Sequence, residues 1–181
     1  MTEHGLRLAF VVQRYGLDVI GGAELMCRWV AEHLTRFAEV HIYTTCAQDY
    51  DLWKNTYPAG THTLNGVQVH RFVVDAPRKP RQFARISEKV LSQPHSHLDE
   101  LAWMKMQGPI SESLLTDIER TRDEFDVFIF FTYLYATTYF GIQLVPEKAM
   151  LVPTAHDEPT LYLSIFRSIF HLPRYILYLT H

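Results

Sequence analysis

The sequence predicts an α/β fold in which a doubly wound, mostly parallel sheet carries helices on both faces. Short, continuous apolar runs at 8–12, 126–132 and 149–154 are typical of strands that are buried on both faces. Segments with helical spacing of apolar residues separate these runs, and this alternation favours a parallel sheet with helical crossovers. No linker, repeat or low-complexity tract interrupts the pattern, so we expect a single domain over residues 1–181.

The first third of the chain predicts a strand at 8–12, a helix that opens at Ala23, and a second strand at 39–45. The helix is predicted from apolar residues that recur at helical spacing, namely Ala23, Met26, Val30, Leu34 and Phe37. Two strand-like pieces follow at 63–64 and 67–74. Asn65-Gly66 separates them and predicts a hairpin turn.

The middle of the chain is predicted to be helical. Helix-forming residues dominate at 83–91 and 98–106, and a third helical segment runs from Ser111 to about Arg122.

The last third returns to alternation. The strand at 126–132 leads to a predicted helix at 137–144 and to the strand at 149–154. Pro159 suits the first position of a helix that extends to about Phe170. Residues 175–180 predict a last strand.

Composition and charge exclude several classes of function. The chain is 48% hydrophobic with a net charge of −3, so no general positive field favours nucleic acid. Cys27 and Cys46 do not make a disulfide framework and predict two reduced thiols. Residues 1–5 are polar, and no window reaches the roughly 18 uninterrupted apolar residues of a membrane span. We therefore expect a cytoplasmic protein without a leader peptide, and peripheral contact with a membrane stays open.

A glycine-rich loop, 14–22, lies between the first strand and the first helix. Gly21 and Gly22 let the backbone approach a ligand closely, and the free amides at a helix start attract anions. The spacing matches neither the dinucleotide-binding glycine pattern nor the phosphate loop that ends in Gly-Lys-Ser/Thr. On these residues alone, an ordinary turn is favoured over a phosphate site. Arg14 and Asp18 flank the glycines as further candidates.

Three loops should meet at the carboxyl edge of the sheet, which is where doubly wound folds bind their ligands. They are the glycine-rich loop, residues 132–135, which include Tyr133, and residues 154–159.

Four polar residues at this edge are candidates for chemistry. His156 could bind a sugar hydroxyl or act as an acid or base, and the alternative is a solvated loop histidine. Asp157 and Glu158 could bind hydroxyls or cap the helix that begins at Pro159. Capping is favoured for Glu158, and both roles stay open for Asp157. Glu24, in the first turn of the first helix, either complements the helix dipole or meets a substrate.

Two further groups of side chains are candidate sites. Basic residues cluster around the second predicted helix, namely Arg78, Lys79, Arg81, Arg85 and Lys89. Such a cluster is more often a solvated face, although it could meet an anionic acceptor or membrane headgroups. His95 and His97 are too isolated to predict a metal site.

In this order, the segments resemble the N-terminal half of a family 4 glycosyltransferase, a GT-B architecture in which two Rossmann-like domains face a cleft. The matching motifs are Tyr15-Gly16, Gly21-Gly22-Ala23-Glu24, residues 39–45, 65–72 and 126–131, Pro153 to Pro159, and Tyr178-Leu179-Thr180. The likeness covers nearly the whole chain and depends on the order and spacing of these motifs.

The resemblance implies that this domain binds the acceptor, while a C-terminal domain holds a nucleotide-sugar donor and transfer retains the anomeric configuration. It implies that Gly21 and Gly22 approach the donor diphosphate or sugar and that His156 contacts the transferred sugar. Arg14 and Tyr133 belong to loops at the same predicted edge and are candidates beside them. Family members usually need no metal or other cofactor. The donor-clamping residues belong to the C-terminal domain, so we expect this chain to be inactive in isolation.

Two other classes of function stay open. The first is a stand-alone Rossmann-like module that binds a sugar or nucleotide without catalysis. The second is an interaction subunit that completes an active site with another chain. The acceptor could be a polysaccharide, a lipid-linked glycan or a small glycoside. An isolated domain that exposes a partner-facing surface also predicts self-association.

Overall fold

The computed structural model describes residues 5–179 and has the predicted α/β fold, which is Rossmann-like. The strands are β1 (Arg7–Val11), β2 (Glu39–Thr45), β3 (Gly60–Leu64), β4 (Val67–Phe72), β5 (Val127–Phe131), β6 (Ala149–Val152) and β7 (Tyr175–Ile176). They form one seven-stranded sheet in the order β3-β4-β2-β1-β5-β6-β7. The β3–β4 pair is antiparallel and the other pairs are parallel. The fold class predicted from the sequence is therefore confirmed.

Helices cover both faces of the sheet. They are α1 (Gly22–Leu34), α2 (Pro80–Ser92), α3 (His97–Gln107), α4 (Glu112–Thr121), α5 (Ala136–Gly141) and α6 (Phe166–Ile169). Short 3₁₀ turns span Ile142–Leu144, Pro146–Lys148 and Pro159–Tyr162. On one face α1 packs against the sheet, and α2 to α6 build the larger core on the other. Within residues 5–179, we find no helix whose length and apolar character would let it cross a membrane.

The continuous apolar run of β1 is explained by its central position. Ala9 and Val11 face the larger core, whereas Leu8 and Phe10 face the core beneath α1. Because successive side chains of a strand point to opposite faces, both sets must be apolar when both faces are covered. All four side chains are buried, with exposures of 6% or less.

The predicted hairpin joins β3 to β4. Asn65 and Gly66 have φ angles of 50° and 84°, the left-handed pair that a two-residue turn of type I′ requires. The hairpin prediction is confirmed. The hairpin lies at the edge of the sheet that is remote from β6.

The first helix is present as α1, but the apolar residues that predict it are not its most buried ones: Met26 and Leu34 pack against the core as partly buried side chains. The buried residues are Glu24, Cys27 and Ala31, whereas Val30 is 40% exposed and Phe37, which lies beyond the helix end, is 77% exposed. Cys27 and Ala31 are small, so the helix can lie close to the sheet. Glu24 also turns inwards, and this positions the candidate site described below.

The helix predicted from Pro159 to Phe170 is interrupted. A 3₁₀ turn at Pro159–Tyr162 is followed by extended backbone at Leu163 and then by α6. The buried carboxylate of Glu100 explains the break, because its Oε2 accepts hydrogen bonds from Ile165 N at 2.9 Å and Ser164 Oγ at 2.7 Å. Ile165 N is then not available to continue the helix. The last predicted strand shortens to β7, and Thr180 lies outside the described residues.

Candidate functional site

The three loops chosen from the sequence meet in one cleft of about 880 Å³ at the carboxyl edge of the sheet. They come together because β1, β5 and β6 are consecutive in the sheet, so the segments that follow these strands are neighbours. The cleft is lined by residues 13–14, 20–24, 132–135 and 153–156, with Met26, Tyr50, Glu158, Tyr178 and Leu179.

Two threonines in the cleft hold unusual backbone conformations. Thr132 follows β5 and has a φ of 69°. Thr154 follows β6, the strand beside β5 in the sheet, and has a φ of 47°. A β-branched residue in the left-handed region costs about 1–3 kcal/mol, and such strain clusters at functional sites. Hydrogen bonds from Thr132 N to Val152 O (2.9 Å) and from Tyr133 N to Pro153 O (3.1 Å) hold the two segments together.

A buried ion pair lies beneath the glycine-rich loop. Arg14 and Glu24 are each only 6% exposed. Glu24 Oε1 accepts hydrogen bonds from Arg14 Nε at 3.0 Å, from Arg14 Nη2, and from Gln13 Nε2 at 2.8 Å. The sequence is compatible with a helix-dipole role or a substrate role for Glu24. The structure adds a third role, which is the internal ion pair with Arg14. Arg14 also donates to Gln48 O at 3.0 Å, so its guanidinium is engaged on two sides.

Gly21 and Gly22 have different environments. A Cβ at Gly21 would collide with Glu24 Oε2 and lie 2.9 Å from Glu24 Cδ and 3.2 Å from Arg14 Nη2. Since Gly21 has an extended φ of 175°, the glycine is required by this close approach rather than by its backbone angle. A Cβ at Gly22 would meet no atom within 4 Å. The first glycine therefore serves the ion pair, and the second leaves open space at the cleft.

The segment after β6 contributes His156 and Glu158 to the cleft lining. His156 is exposed and lines the cleft. Glu158 occupies the position before the 3₁₀ turn, but its side chain makes no capping hydrogen bond, so the favoured capping role is wrong. Its Oε1 instead accepts a hydrogen bond from the Tyr133 hydroxyl at 2.6 Å. Burial, and then this hydrogen bond to Glu158, raises the pKa of Tyr133 well above its usual value, so the phenol stays protonated.

Asp157 is not brought into the cleft lining. Its carboxylate accepts a hydrogen bond from the Tyr162 hydroxyl at 2.8 Å, and this bond raises the pKa of that exposed phenol. Asp18, the other flanking acid, is exposed and also lies outside the lining.

Several lining residues were missed or passed over in the sequence. Gln13 directly follows the first apolar run, and Tyr50 belongs to the segment after β2, so both lie beyond strand ends. The rule that selected the other loops could have found them. The Tyr50 ring is 56% exposed and lies 5.5 Å from the Arg14 guanidinium carbon. Tyr178, at 64% exposure, offers a second open ring.

The basic cluster is not a uniform solvated face. The Arg78 guanidinium carbon lies 5.0 Å from the Trp53 ring and 4.5 Å from the Phe83 ring, and burial lowers the pKa of Arg78. Its Nη1 donates to Tyr50 O at 3.1 Å, so this arginine supports the segment after β2. Lys89 pairs with Asp99 at 2.6 Å, while Lys79, Arg81 and Arg85 are exposed.

The other candidate ligands have local partners. His95 Nε2 lies 3.0 Å from Glu100 Oε1, and His97 Nδ1 lies 3.0 Å from Ser164 Oγ. Among residues 5–179, no group of three or more His, Cys, Asp or Glu side chains could hold a metal ion. Cys27 and Cys46 are both free and buried.

No protein-family model matches this chain, and no curated protein is significantly similar to it.

Proposed function

We propose that this chain is the acceptor-binding domain of a retaining glycosyltransferase that uses a nucleotide-sugar donor. The observation that carries the proposal is the cleft, which the glycine-rich loop and His156 line together at the carboxyl edge of a Rossmann-like sheet. This arrangement supports the resemblance found in the sequence, because the residues that the resemblance selects are brought together from segments more than a hundred positions apart.

The cleft offers groups suited to sugars. An exposed imidazole at His156 can donate or accept a hydrogen bond to a hydroxyl. The open rings of Tyr50 and Tyr178 can pack on the apolar face of a pyranose. The empty space beside Gly22 lets a ligand approach the backbone of the α1 start.

The donor diphosphate requires help from outside this chain in the proposed reaction. Among the described lining residues, Arg14 is the one arginine or lysine, and Glu24 already pairs with it. A second domain would supply the cations that stabilise the leaving diphosphate, without a metal ion. Ile20, which is 90% exposed at the cleft, would contact that domain as it closes. The proposal includes a cytoplasmic location, with peripheral membrane contact where the acceptor is lipid-linked.

A binding module without catalysis is the second candidate. The observation that favours it is the same paired Arg14, because the described lining then has no free cation for a diphosphate.

Sugar transfer tests the proposal. We expect no transfer by the 181-residue chain alone from any nucleotide sugar, and transfer when the chain is joined to a donor domain in the full-length enzyme. Transfer by the isolated chain would refute the proposal that a second domain is needed to hold the donor. Absence of transfer in both proteins would favour the binding module. In the full-length enzyme, His156→Ala should lower kcat by about 100-fold or more while the melting temperature stays unchanged. His171→Ala is the matched control, since His171 is exposed and lies outside the cleft lining.

A further inference from the structure

We infer that this cleft accepts an uncharged glycan and that the carboxylate of Glu158 selects against acidic ones, such as chains that carry uronic acids or phosphate. The inference rests on the proposed function, because it names the class of acceptor that the same cleft would bind.

The charges of the lining residues do not favour an anionic ligand. The guanidinium of Arg14 is buried and bonded to Glu24, so the two charges offset one another. Displacing Glu24 to free Arg14 would break a buried pair, which is strongly unfavourable. Besides that pair and His156, the described lining has one Asp, Glu, Arg or Lys side chain, which is Glu158.

The negative charge of Glu158 is not neutralised. Its hydrogen-bond partner is the Tyr133 hydroxyl, a neutral donor that in turn lies 3.1 Å from Thr160 Oγ1. Glu158 is half-buried beside a fully buried Tyr133 ring, so solvent screens its charge less than it would screen an exposed carboxylate. An ionised carboxylate has about four acceptor positions, so several remain for sugar hydroxyls.

The shape and lining of the cleft fit a neutral oligosaccharide. Its volume of about 880 Å³ is at the upper end of the range for sites that enclose small organic ligands. Tyr50 and Tyr178 supply rings at its rim, and Leu134, Ala155 and Leu179 supply apolar contact. Hydroxyl groups of a glycan would therefore find one carboxylate acceptor, while the ring faces of the sugar pack on aromatic surface.

The test uses matched pairs of glycans that differ in one charge. The probes are neutral oligosaccharides and the same oligosaccharides with the C6 hydroxymethyl oxidised to a carboxylate, titrated into the 181-residue chain and followed by amide chemical shifts. We expect each neutral member that binds to do so about tenfold more tightly than its acidic partner, as two like charges a few ångströms apart predict at intermediate screening.

Two variants separate the role of Glu158 from net charge. Glu158→Gln keeps an acceptor for Tyr133 but removes the charge, so the preference for neutral glycans should fall to about one. Asp123→Asn changes the net charge equally at a side chain that is 91% exposed and outside the cleft lining, so the preference should persist.

The outcomes distinguish this inference from the proposed function. Acidic glycans that bind as tightly as their neutral partners, or more tightly, would overturn the inference and leave acceptor binding intact. A preference that Glu158→Gln does not change would also overturn it. If the folded chain binds no glycan of either kind, the acceptor role itself fails.

Discussion

Gly21 and Gly22 are adjacent, yet the structure predicts opposite effects when each is replaced by alanine. A methyl group at Gly21 would enter the space occupied by the Glu24 carboxylate, 3.2 Å from Arg14 Nη2. The carboxylate cannot stay in place, because real Cβ atoms do not approach other atoms so closely. A methyl group at Gly22, the first residue of α1, would meet nothing within 4 Å.

The magnitude follows from the ion pair that Gly21→Ala would separate. Gly21→Ala keeps both charges but displaces the carboxylate from its donors, which costs about 1.5–3 kcal/mol for hydrogen bonds to a charged group. The loss of backbone freedom in the unfolded chain offsets this by about 0.4–1 kcal/mol, since alanine can adopt the extended angles of Gly21. We therefore expect Gly21→Ala to lower the free energy of unfolding by about 1–2 kcal/mol. Gly22→Ala should raise it by about 0.5–1 kcal/mol, as alanine replaces glycine in a helix.

Urea denaturation of the two variants and the parent chain measures both effects, with circular dichroism as the signal. The slope of the free energy against denaturant should be equal in the three proteins, because the surface exposed on unfolding hardly changes. Equal stabilities of Gly21→Ala and Gly22→Ala would refute the reasoning, since they would show that the Arg14–Glu24 pair does not require a glycine at position 21.

Three further predictions concern the cleft and the sheet. Tyr133→Phe removes the donor to Glu158 and should lower the free energy of unfolding by about 1–2 kcal/mol, which thermal melting would detect; an unchanged melting temperature would contradict the contact. Burial, and then the positive charge of His41, lowers the pKa of His70 below its usual 6.5. The unfolded chain therefore binds a proton more readily than the folded chain, so the free energy of unfolding should fall as the pH drops through about 6.5. His70→Gln should flatten this pH dependence, and a dependence that survives the substitution would belong to another group. Gly22→Val should lower kcat/KM of the full-length enzyme about tenfold or more with little effect on folding, and unchanged kinetics would exclude a ligand at that backbone.

Much of the fold was predictable because its causes are local. The run at 8–12 is apolar on both faces, which indicates a central strand, and Asn65-Gly66 has the backbone preferences of a hairpin turn. Which residues of α1 are fully buried was not predictable in this way. Apolar residues lie on more than one side of that helix, and the choice of Glu24, Cys27 and Ala31 depends on how closely the sheet approaches it.

The candidate site was also predictable only in part. Chain order alone placed the glycine-rich loop and residues 154–159 at one sheet edge, because parallel strands share a direction and their following loops share an edge. The bond from Tyr133 joins it to Glu158, 25 positions away. The close approach of Glu24 to Gly21 is found where the Glu24 carboxylate is paired with Arg14.

By itself, the sequence determined the strand and helix order and the edge at which the cleft lies, since these follow from local periodicity and strand direction. Only the tertiary structure decided that Glu24 turns inwards to Arg14 and that Glu158 binds Tyr133 instead of capping a helix. The physical reason is that a charged side chain takes the partner that its folded surroundings bring within hydrogen-bonding distance, and those partners come from distant segments of the chain.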